Sequence, residues 1–520
     1  MGIVGGFMVP HPPIIIPEIG RGDESGIAST INSYKRVADM VAEMKPDTIV
    51  ISTPHSVMYS DYFHISPGET AEGSFSRFGV PEVGISADYD TAFVKKLCML
   101  AAENGVDAGT GGEKDPKLDH GTLIPLYFVT QKYVDFNLVR IGLSGLPLAE
   151  HYRLGMLIKQ AAEELNRRVV YIASGDLSHK LKEDGPYGFV PDGPMYEDRI
   201  MDVMGRAAFE ELFDFDELFL EKVAECGHRS FVMMAGALDR TAVKVQSLSH
   251  EGPFGVGYGV CTYEVCADED GSKRCFLDDH IRKDSERRYK QRENEDLLVR
   301  LARKSLETYI KERKEISFSD VGAELVEAYK AAVQRNHRAK EKSDGIAILD
   351  GEGKSGEAAA AGTNEGSADS VSIEAADEQY QQLISTRAGA FVSLHKDGRL
   401  RGCIGTISPA RDTLAEEIIE NAISASTRDP RFDPVTVREL NYLEYSVDVL
   451  SPAEPIDSPS QLDVKRYGVI VTNGGRRGLL LPNLDTIDTV EEQIAIAKRK
   501  AGIGEDEPVK LQRFEVVRHR

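Results

Sequence analysis

The sequence has 520 residues, 41% of them hydrophobic and 28% charged, a globular composition that suggests roughly two to four domains. The formal net charge of −23 argues against nucleic acid as a partner, because phosphate groups would be repelled. The sequence contains neither a long uninterrupted apolar run nor a signal-peptide pattern, and its six cysteines contain no CxxC pair. We therefore expect a cytoplasmic protein that does not act at a membrane.

Residues 1–268 alternate strand-like and helical apolar patterns, which predicts an α/β domain whose helices cover a largely buried sheet. The predicted strands are Ile3–Val9, Thr48–Ser52, Asn137–Leu143, Val169–Ala173 and Phe254–Val265. The predicted helices are Ile31–Met44, Thr91–Glu103, Ala149–Asn166 and Phe231–Arg240.

Residues 269–293 are predicted to connect this domain to a smaller α+β domain, residues 294–520. An amphipathic helix with Leu298, Leu301 and Leu306 on one face is expected to begin the second domain. Residues 345–378 carry almost no aliphatic or aromatic side chains, so we predict a flexible insertion there. After it, the patterns predict the strands Ala390–Leu394, Tyr445–Leu450 and Val469–Thr472 and the helix Leu414–Ser426.

Three histidines follow separate strand-like runs: His11 in MVPHPP, His55 in ISTPHS and His179 in IASGDLSH. The carboxyl ends of parallel strands open onto one ligand crevice, so these imidazoles are expected at one rim. A single histidine in such a place is more often structural, because neutral imidazole forms hydrogen bonds readily. The repetition of this pattern after three separate strands favours a shared ligand-binding site. His120, in LDHGTLIPL, either joins that site or begins a helix.

The order of these motifs resembles the class III extradiol ring-cleavage dioxygenases and their MEMO relatives. The likeness spans residues 1–266 and rests on PHPP, a strand ending in PH, DHGxxxPL, SGDLSH and a polar residue before a GA-containing helix. It implies a metal centre with positions left open for a catecholate and oxygen. It also implies that His11 and His55 bind the metal, that His120 steadies oxygen or the substrate anion, and that His179 is the acid/base residue.

Two neighbouring residues in AECGHRSF compete for the third metal position. Cys226 matches the MEMO branch, whereas Glu225 would restore the carboxylate of the dioxygenases. Neighbours on an extended segment point in opposite directions, so only one can bind the ion, and we favour Cys226. Fe(II) is the metal that the resemblance implies, and copper is the alternative that a soft thiolate favours.

Asp176, in SGDLSH, is a further catalytic candidate with two interpretations. Its carboxylate either holds His179 or a ligand imidazole by the second ring nitrogen, which fixes the tautomer, or it caps a helix.

The second domain resembles the AMMECR family through LRGCIGT, RDPRFDP, SVDVLSP and RRGLLLP, in that order. Cys403 is either a nucleophile activated by the guanidinium of Arg401 or a small buried residue in a tight strand turn. Four arginines of these motifs could line a pocket that binds an anion through bidentate contacts: Arg428, Arg431, Arg476 and Arg477.

The fusion resembles the AmmeMemoRadiSam grouping, which implies a separate radical SAM protein, since this chain has no CxxxCxxC motif. We expect a metal-dependent oxidoreductase that acts on a small aromatic substrate, with the second domain supplying substrate contacts, a lid or a partner surface. The alternative is a non-catalytic metal carrier or interaction module of the MEMO type. Both functions, oxidoreductase and metal carrier, are compatible with a homo-oligomer.

Overall fold

The computed structural model describes residues 1–113, 116–349, 373–396, 398–484 and 487–520. The chain forms two compact units, Met1–Asp284 and Ser285–Arg520. The division falls inside the helix Phe276–Asn294, so much of the predicted connecting segment is helical. In the part of the chain that is described, no helix is both long enough and apolar enough to traverse a bilayer.

The first unit is built from strands and helices that alternate along the chain. Its strands are β1 Ile3–Val9, β2 Thr48–Thr53, β3 Phe63–His64, β4 Thr70–Phe75, β5 Val80–Asp88, β6 Ala108–Gly109, β7 Asn137–Gly142, β8 Val169–Ser174, β9 Val243–Glu251 and β10 Tyr258–Val265. Its helices are α1 Pro17–Gly20, α2 Ala28–Met44, α3 Thr91–Asn104, α4 His120–Val129, α5 Leu148–Glu164, α6 Asp192–Arg206, α7 Glu217–Val223, α8 His228–Ala237 and α9 Phe276–Asn294.

The main sheet of this unit has the strand order β7-β2-β8-β1-β10-β9. The first four strands are parallel, and β10 and β9 are antiparallel. The predicted α/β class is confirmed. The last predicted strand begins at Tyr258 instead of Phe254, because Gly255 and Gly257 form backbone hydrogen bonds with Leu181 and Leu177 outside the sheet.

Alternate side chains of the strands enter two separate cores. Met8, Val50 and Tyr171 pack with α3, α5, α6 and α8, whereas Phe7 and Ile51 pack with α2 and α4 on the other face. Because helices cover both faces of the sheet, the sequences of its central strands are continuous apolar runs. The polar residues that follow β1, β2 and β8 therefore emerge together at one edge of a rigid sheet.

The second unit contains an antiparallel, curled sheet. Its strands are β11 Ala390–Lys396, β12 Arg399–Gly405, β13 Leu443–Leu450, β14 Glu454–Ile456, β15 Tyr467–Asn473, β16 Arg476–Leu480 and β17 Lys510–His519. Its helices are α10 Leu297–Glu312, α11 Phe318–Leu349, α12 Ile373–Ser385, α13 Leu414–Thr427 and α14 Val490–Lys500. The strand order is β12-β11-β13-β17-β15-β16, and β14 pairs with β17.

The amphipathic pattern at the start of this unit forms α10, which buries Leu298, Leu301 and Leu306 against the core. The predicted insertion at residues 345–378 stays a prediction. At its two ends, α11 continues to Leu349 and α12 begins at Ile373. Its central part, residues 350–372, lies outside the described residues.

Candidate metal centre

His11 and His55 face each other just beyond β1 and β2, with their Nε2 atoms 2.9 Å apart. The orientation of His11 is set by Ser174, at the end of β8. The Ser174 hydroxyl donates to the carbonyl oxygen of Gly121 at 2.6 Å, so its oxygen accepts from Nδ1 of His11 at 2.9 Å. With the ring proton on Nδ1, the lone pair of Nε2 points at His55.

A third imidazole, that of His120, joins the rings of His11 and His55. It begins α4 and stacks on His55, with ring centroids 4.0 Å apart, and lies 5.4 Å from the ring of His11. Burial lowers the pKa of His11 and of His55, and together with His55 it lowers the pKa of His120 to about 4. The rings are therefore neutral at physiological pH and offer lone pairs.

Cys226, in the turn before α8, brings a thiol to these rings. Its Sγ lies 3.6 Å from Nε2 of His11, and the potential ligand atoms of His11, His55 and Cys226 all lie within 4.8 Å of one another. The sulfur also accepts from the backbone N–H of Asp176 at 3.3 Å. Burial raises the pKa of the Cys226 thiol, and a bound cation would favour the thiolate instead.

Glu225 points away from this group. Its carboxylate accepts from the backbone N–H of His228 at 2.5 Å, at the first turn of α8, and burial raises its pKa to about 7. Residues 224–227 form a turn and not an extended strand, and the two neighbouring side chains nevertheless have different partners. Cys226, and not Glu225, is therefore the neighbour of the imidazoles, while the ligand set itself stays a prediction.

Asp176 fits neither interpretation made from the sequence. No helix begins beside it, and its Oδ2 lies 4.0 Å from Nε2 of both His11 and His179, beyond hydrogen-bond distance. Its Oδ1 instead accepts from the backbone N–H of His11 at 2.7 Å. Burial raises the pKa of Asp176 to about 7. The carboxylate thus fixes the backbone of a proposed ligand and not its ring.

His179 is oriented by a backbone carbonyl. Its Nδ1 donates to the carbonyl oxygen of Ala224, which leaves Nε2 available on the side of Asp176 and Cys226. Burial lowers its pKa, so the ring is a neutral proton acceptor. The ring of Tyr187 lies over it, edge on, with centroids 5.1 Å apart. Sequence patterns carry no signal for a backbone partner such as Ala224.

A cavity of about 740 Å³ reaches His55 and His120. Phe78 lines it and meets the ring of His120 edge to face, with centroids 5.3 Å apart. Arg140 lines it from β7, fully buried and bound to the carboxylate of Glu113. The volume suits a small organic ligand. Sequence reasoning missed Arg140, although a charged residue within the apolar strand FNLVRIG was a usable signal.

The candidate residues of the second unit are distributed over several elements. Cys403 lies on the edge strand β12, whereas Arg476 lies on β16 at the opposite edge, where it binds Glu507. Arg401 binds Glu439, with Nε and Oε1 2.9 Å apart. The shared anion pocket stays a prediction. The guanidinium groups of Arg428, Arg431 and Arg476 already bind carboxylates, those of Glu420, Asp429 and Glu507.

The RDPRFDP motif contacts the backbone of Cys403. The Asp429 carboxylate accepts from the N–H of Cys403 at 2.9 Å, and Arg431 donates to the carbonyl oxygen of Cys403 at 3.3 Å. Arg431 also binds the carboxylate of Asp429. These side chains occupy backbone groups of an edge strand that another chain would otherwise pair with.

Comparison with known proteins assigns both units. Residues 5–261 match the family described as "Catalytic LigB subunit of aromatic ring-opening dioxygenase", and residues 299–519 match the family AMMECR1. Protein CA_C1420 of Clostridium acetobutylicum is 37% identical over the full length of both chains. A Thermotoga maritima protein is 55% identical over 150 residues, 28% of this chain and 86% of its own.

Among solved structures, an uncharacterized protein of Pyrococcus horikoshii, PH0010, is similar to 43% of this chain and 89% of its own, with 27% identity and a TM-score of 0.30.

Proposed function

Because the chain belongs to a family of fusion proteins in which a LigB-type dioxygenase unit precedes an AMMECR1 unit, we propose that its first unit is a metal-dependent oxidoreductase acting on a small aromatic substrate. The observation that carries the proposal is the convergence of His11, His55 and Cys226 beside a cavity. Residues from three distant parts of the chain meet there with their donor atoms facing one another.

The donor set fits a transition-metal ion. Ligands about 2.0–2.3 Å from a common ion have mutual separations close to the 2.9 Å and 3.6 Å found here for His11–His55 and His11–Cys226. The fixed Nδ1 proton of His11 leaves the required lone pair on Nε2. We name Fe(II) as the first metal, from the dioxygenase relationship, with copper as the alternative.

A bound Fe(II) would supply Lewis acidity and a path for electrons between an aromatic diol and oxygen. His179 would take the proton of a substrate hydroxyl at Nε2, because its Nδ1 is committed to Ala224. His120, kept neutral by burial, would donate an N–H to the substrate anion or to oxygen. Phe78 would give the aromatic ring an apolar wall.

The test uses the full chain, purified without oxygen, loaded with Fe(II) and assayed against a panel of catechols. We expect a ring-opened product, and we expect His179→Ala to keep the metal but lose about 10²- to 10⁴-fold in kcat. His280→Ala, a histidine stacked on Phe213, is the matched control and should retain activity. Absence of catechol consumption by the loaded wild-type chain would reject the proposal.

A second candidate, a copper carrier, is favoured by one observation: a thiol and not a carboxylate is the third neighbour of the imidazoles. A soft sulfur donor prefers Cu(I). Competition between Fe(II) and Cu(I) for the full chain, followed by catechol assay of each form, separates the two. Tight Cu(I) binding without turnover in either form supports the carrier.

The proposal also assigns a partner, a separate radical SAM protein, which the resemblance to the AmmeMemoRadiSam grouping implies. Co-expression with such a protein and sizing of the purified complex test this. A defined stoichiometric complex supports it, and two independently eluting proteins contradict it.

A further inference from the structure

Glu197, on α6, contacts none of the proposed metal ligands but binds the segment that carries Asp176 and His179. Its Oε1 accepts from the backbone N–H of Ser178 at 2.7 Å. The side chain is buried, so this charge-assisted hydrogen bond is shielded from solvent and is stronger than an exposed one.

The second carboxylate oxygen of Glu197 has a partner at the surface. Oε2 lies 2.5 Å from Nε2 of His250, on β9, whose side chain is one-third exposed. His250 therefore supplies a proton donor to a buried carboxylate, and the pair connects the surface to the inner segment.

Glycine 257 leaves the space that this carboxylate occupies. A Cβ built on Gly257 would lie 2.2 Å from both oxygens of Glu197, and no other neighbour is as close. The Gly257 backbone also pairs with the same segment: its N–H donates to the carbonyl of Ser178 at 2.9 Å, and its carbonyl accepts from Leu177 at 2.9 Å. Within the glycine-rich run from Glu251 to Val260, Gly257 thus leaves room for the side chain of Glu197.

These contacts bracket the catalytic candidates. Ser178 is the residue immediately before His179 and the second after Asp176, and its hydroxyl donates to the carbonyl of Val223 at 3.0 Å. The next carbonyl, that of Ala224, holds the ring of His179. A shift of Ser178 would therefore displace the His179 ring from its acceptor.

We infer that Glu197 is a positioning residue for His179: its carboxylate, admitted by Gly257 and partnered by His250, holds Ser178 and fixes the imidazole beside the metal centre. The catalytic consequence rests on the proposed function, whereas the hold on Ser178 does not. Glu197 touches no substrate and acts only through the segment that it binds.

The first test is amide hydrogen exchange of the full chain over peptides that contain residues 175–181. Glu197→Ala should speed exchange there at least tenfold, while Glu197→Gln, which keeps an acceptor oxygen, should stay within about twofold of wild type. Asp90→Ala is the matched control, because Asp90 is also a buried carboxylate that accepts a backbone N–H, that of Phe93, but it lies near Thr48 at the start of β2, at the opposite edge of the sheet. Unchanged exchange in Glu197→Ala overturns the inference.

A double-mutant cycle with Gly257 supplies a second test. Gly257→Ala alone should displace the carboxylate and speed exchange in residues 175–181 as Glu197→Ala does. Added to Glu197→Ala, it should have no further effect, because the new methyl group then has room. Additive effects of the two substitutions would contradict the assignment.

The third readout is turnover of the loaded chain. Glu197→Ala should lower kcat about 10- to 100-fold with metal content and KM nearly unchanged, and Glu197→Gln should restore most of it. Equal loss in both variants, or loss of the metal, would show a merely structural role. If the exchange results hold but wild type opens no catechol, the proposed function fails and the hold on Ser178 stands.

Discussion

The metal centre of the first unit and the arginine and cysteine motifs of the second differ in what their polar atoms face. Around His11, ring nitrogens and a thiol face one another, and burial keeps the rings neutral. Around Cys403, each cationic group faces a carboxylate: Arg401 binds Glu439 and Arg431 binds Asp429.

This difference separates a candidate binding site from a structural network. A cation can bind the lone pairs of several donor atoms at once, whereas a neutral imidazole can donate only one hydrogen bond to its neighbours. A paired guanidinium and carboxylate are already satisfied and need no further ligand. The residue types alone suggested a functional site in both units. The contacts that these side chains make support such a site only in the first unit.

The largest expected effect is the loss of the metal from the first unit. The double variant His11→Ala/His55→Ala removes both imidazole donors, so the metal content should fall from about one ion per chain to near zero. Elemental analysis after anaerobic purification measures this, with His280→Ala as the control. If the variant retained the ion, the contrast between the two units would fail, because the imidazoles of His11 and His55 would then have only a structural role.

The next effect concerns the two neighbours Cys226 and Glu225. Cys226→Ser should weaken metal binding at least tenfold and shift the preference away from Cu(I), because a hydroxyl is a poorer and harder donor. Glu225→Gln should leave the affinity within about threefold, since that side chain faces His228. Competition titrations with a chromophoric chelator measure both, and the reverse ranking would assign the third position to Glu225.

A smaller effect is expected in the second unit. Asp429→Ala removes the acceptor of the Cys403 N–H and the partner of Arg431, which should destabilise this unit by about 1–3 kcal/mol. Arg431→Ala, whose side chain is half exposed, should cost less than about 1 kcal/mol. Chemical denaturation followed by circular dichroism measures both. A change of metal content in either variant would show that the two units are not independent.

The last effect is a pH slope, which appears only below neutral pH. Burial lowers the pKa of His151 in the folded state to about 3, below its value of 6.5 in the unfolded chain. The unfolded chain therefore takes up a proton first, and stability is lost as the pH falls below 6.5, by about 1.4 kcal/mol per pH unit for this group. His151→Gln should remove that slope between pH 6 and about pH 4, measured by denaturation at each pH. An unchanged slope would show that His151 is not the source.

Much of this arrangement was predictable from the sequence. The continuous apolar runs indicated a buried sheet, and the histidines after β1, β2 and β8 indicated its functional edge, because the carboxyl ends of parallel strands lie together. The alternation of neighbouring side chains indicated that only one of Cys226 and Glu225 can bind the ion, and the resemblance to the MEMO branch favoured Cys226.

The rest depends on contacts that sequence patterns do not encode. The roles of Asp176 and Ala224 are hydrogen bonds that involve a backbone atom, and any residue type supplies that atom. Glu197 reaches Ser178 from a helix that no motif marks. Whether Arg476 lies near the other arginines could not be read from the sequence, because the strand order that places β16 and β12 at different edges of the sheet is set by the tertiary fold.

The hydroxyl of Ser174 links His11 to the first turn of α4. It donates to Gly121 in the first turn of α4 and accepts from His11. Should that turn withdraw, the hydroxyl would be released to donate to Nδ1, and the ring proton of His11 would move to Nε2. The hydrogen bond from Ser174 to Gly121 therefore favours the His11 tautomer in which Nε2 can offer its lone pair to a cation.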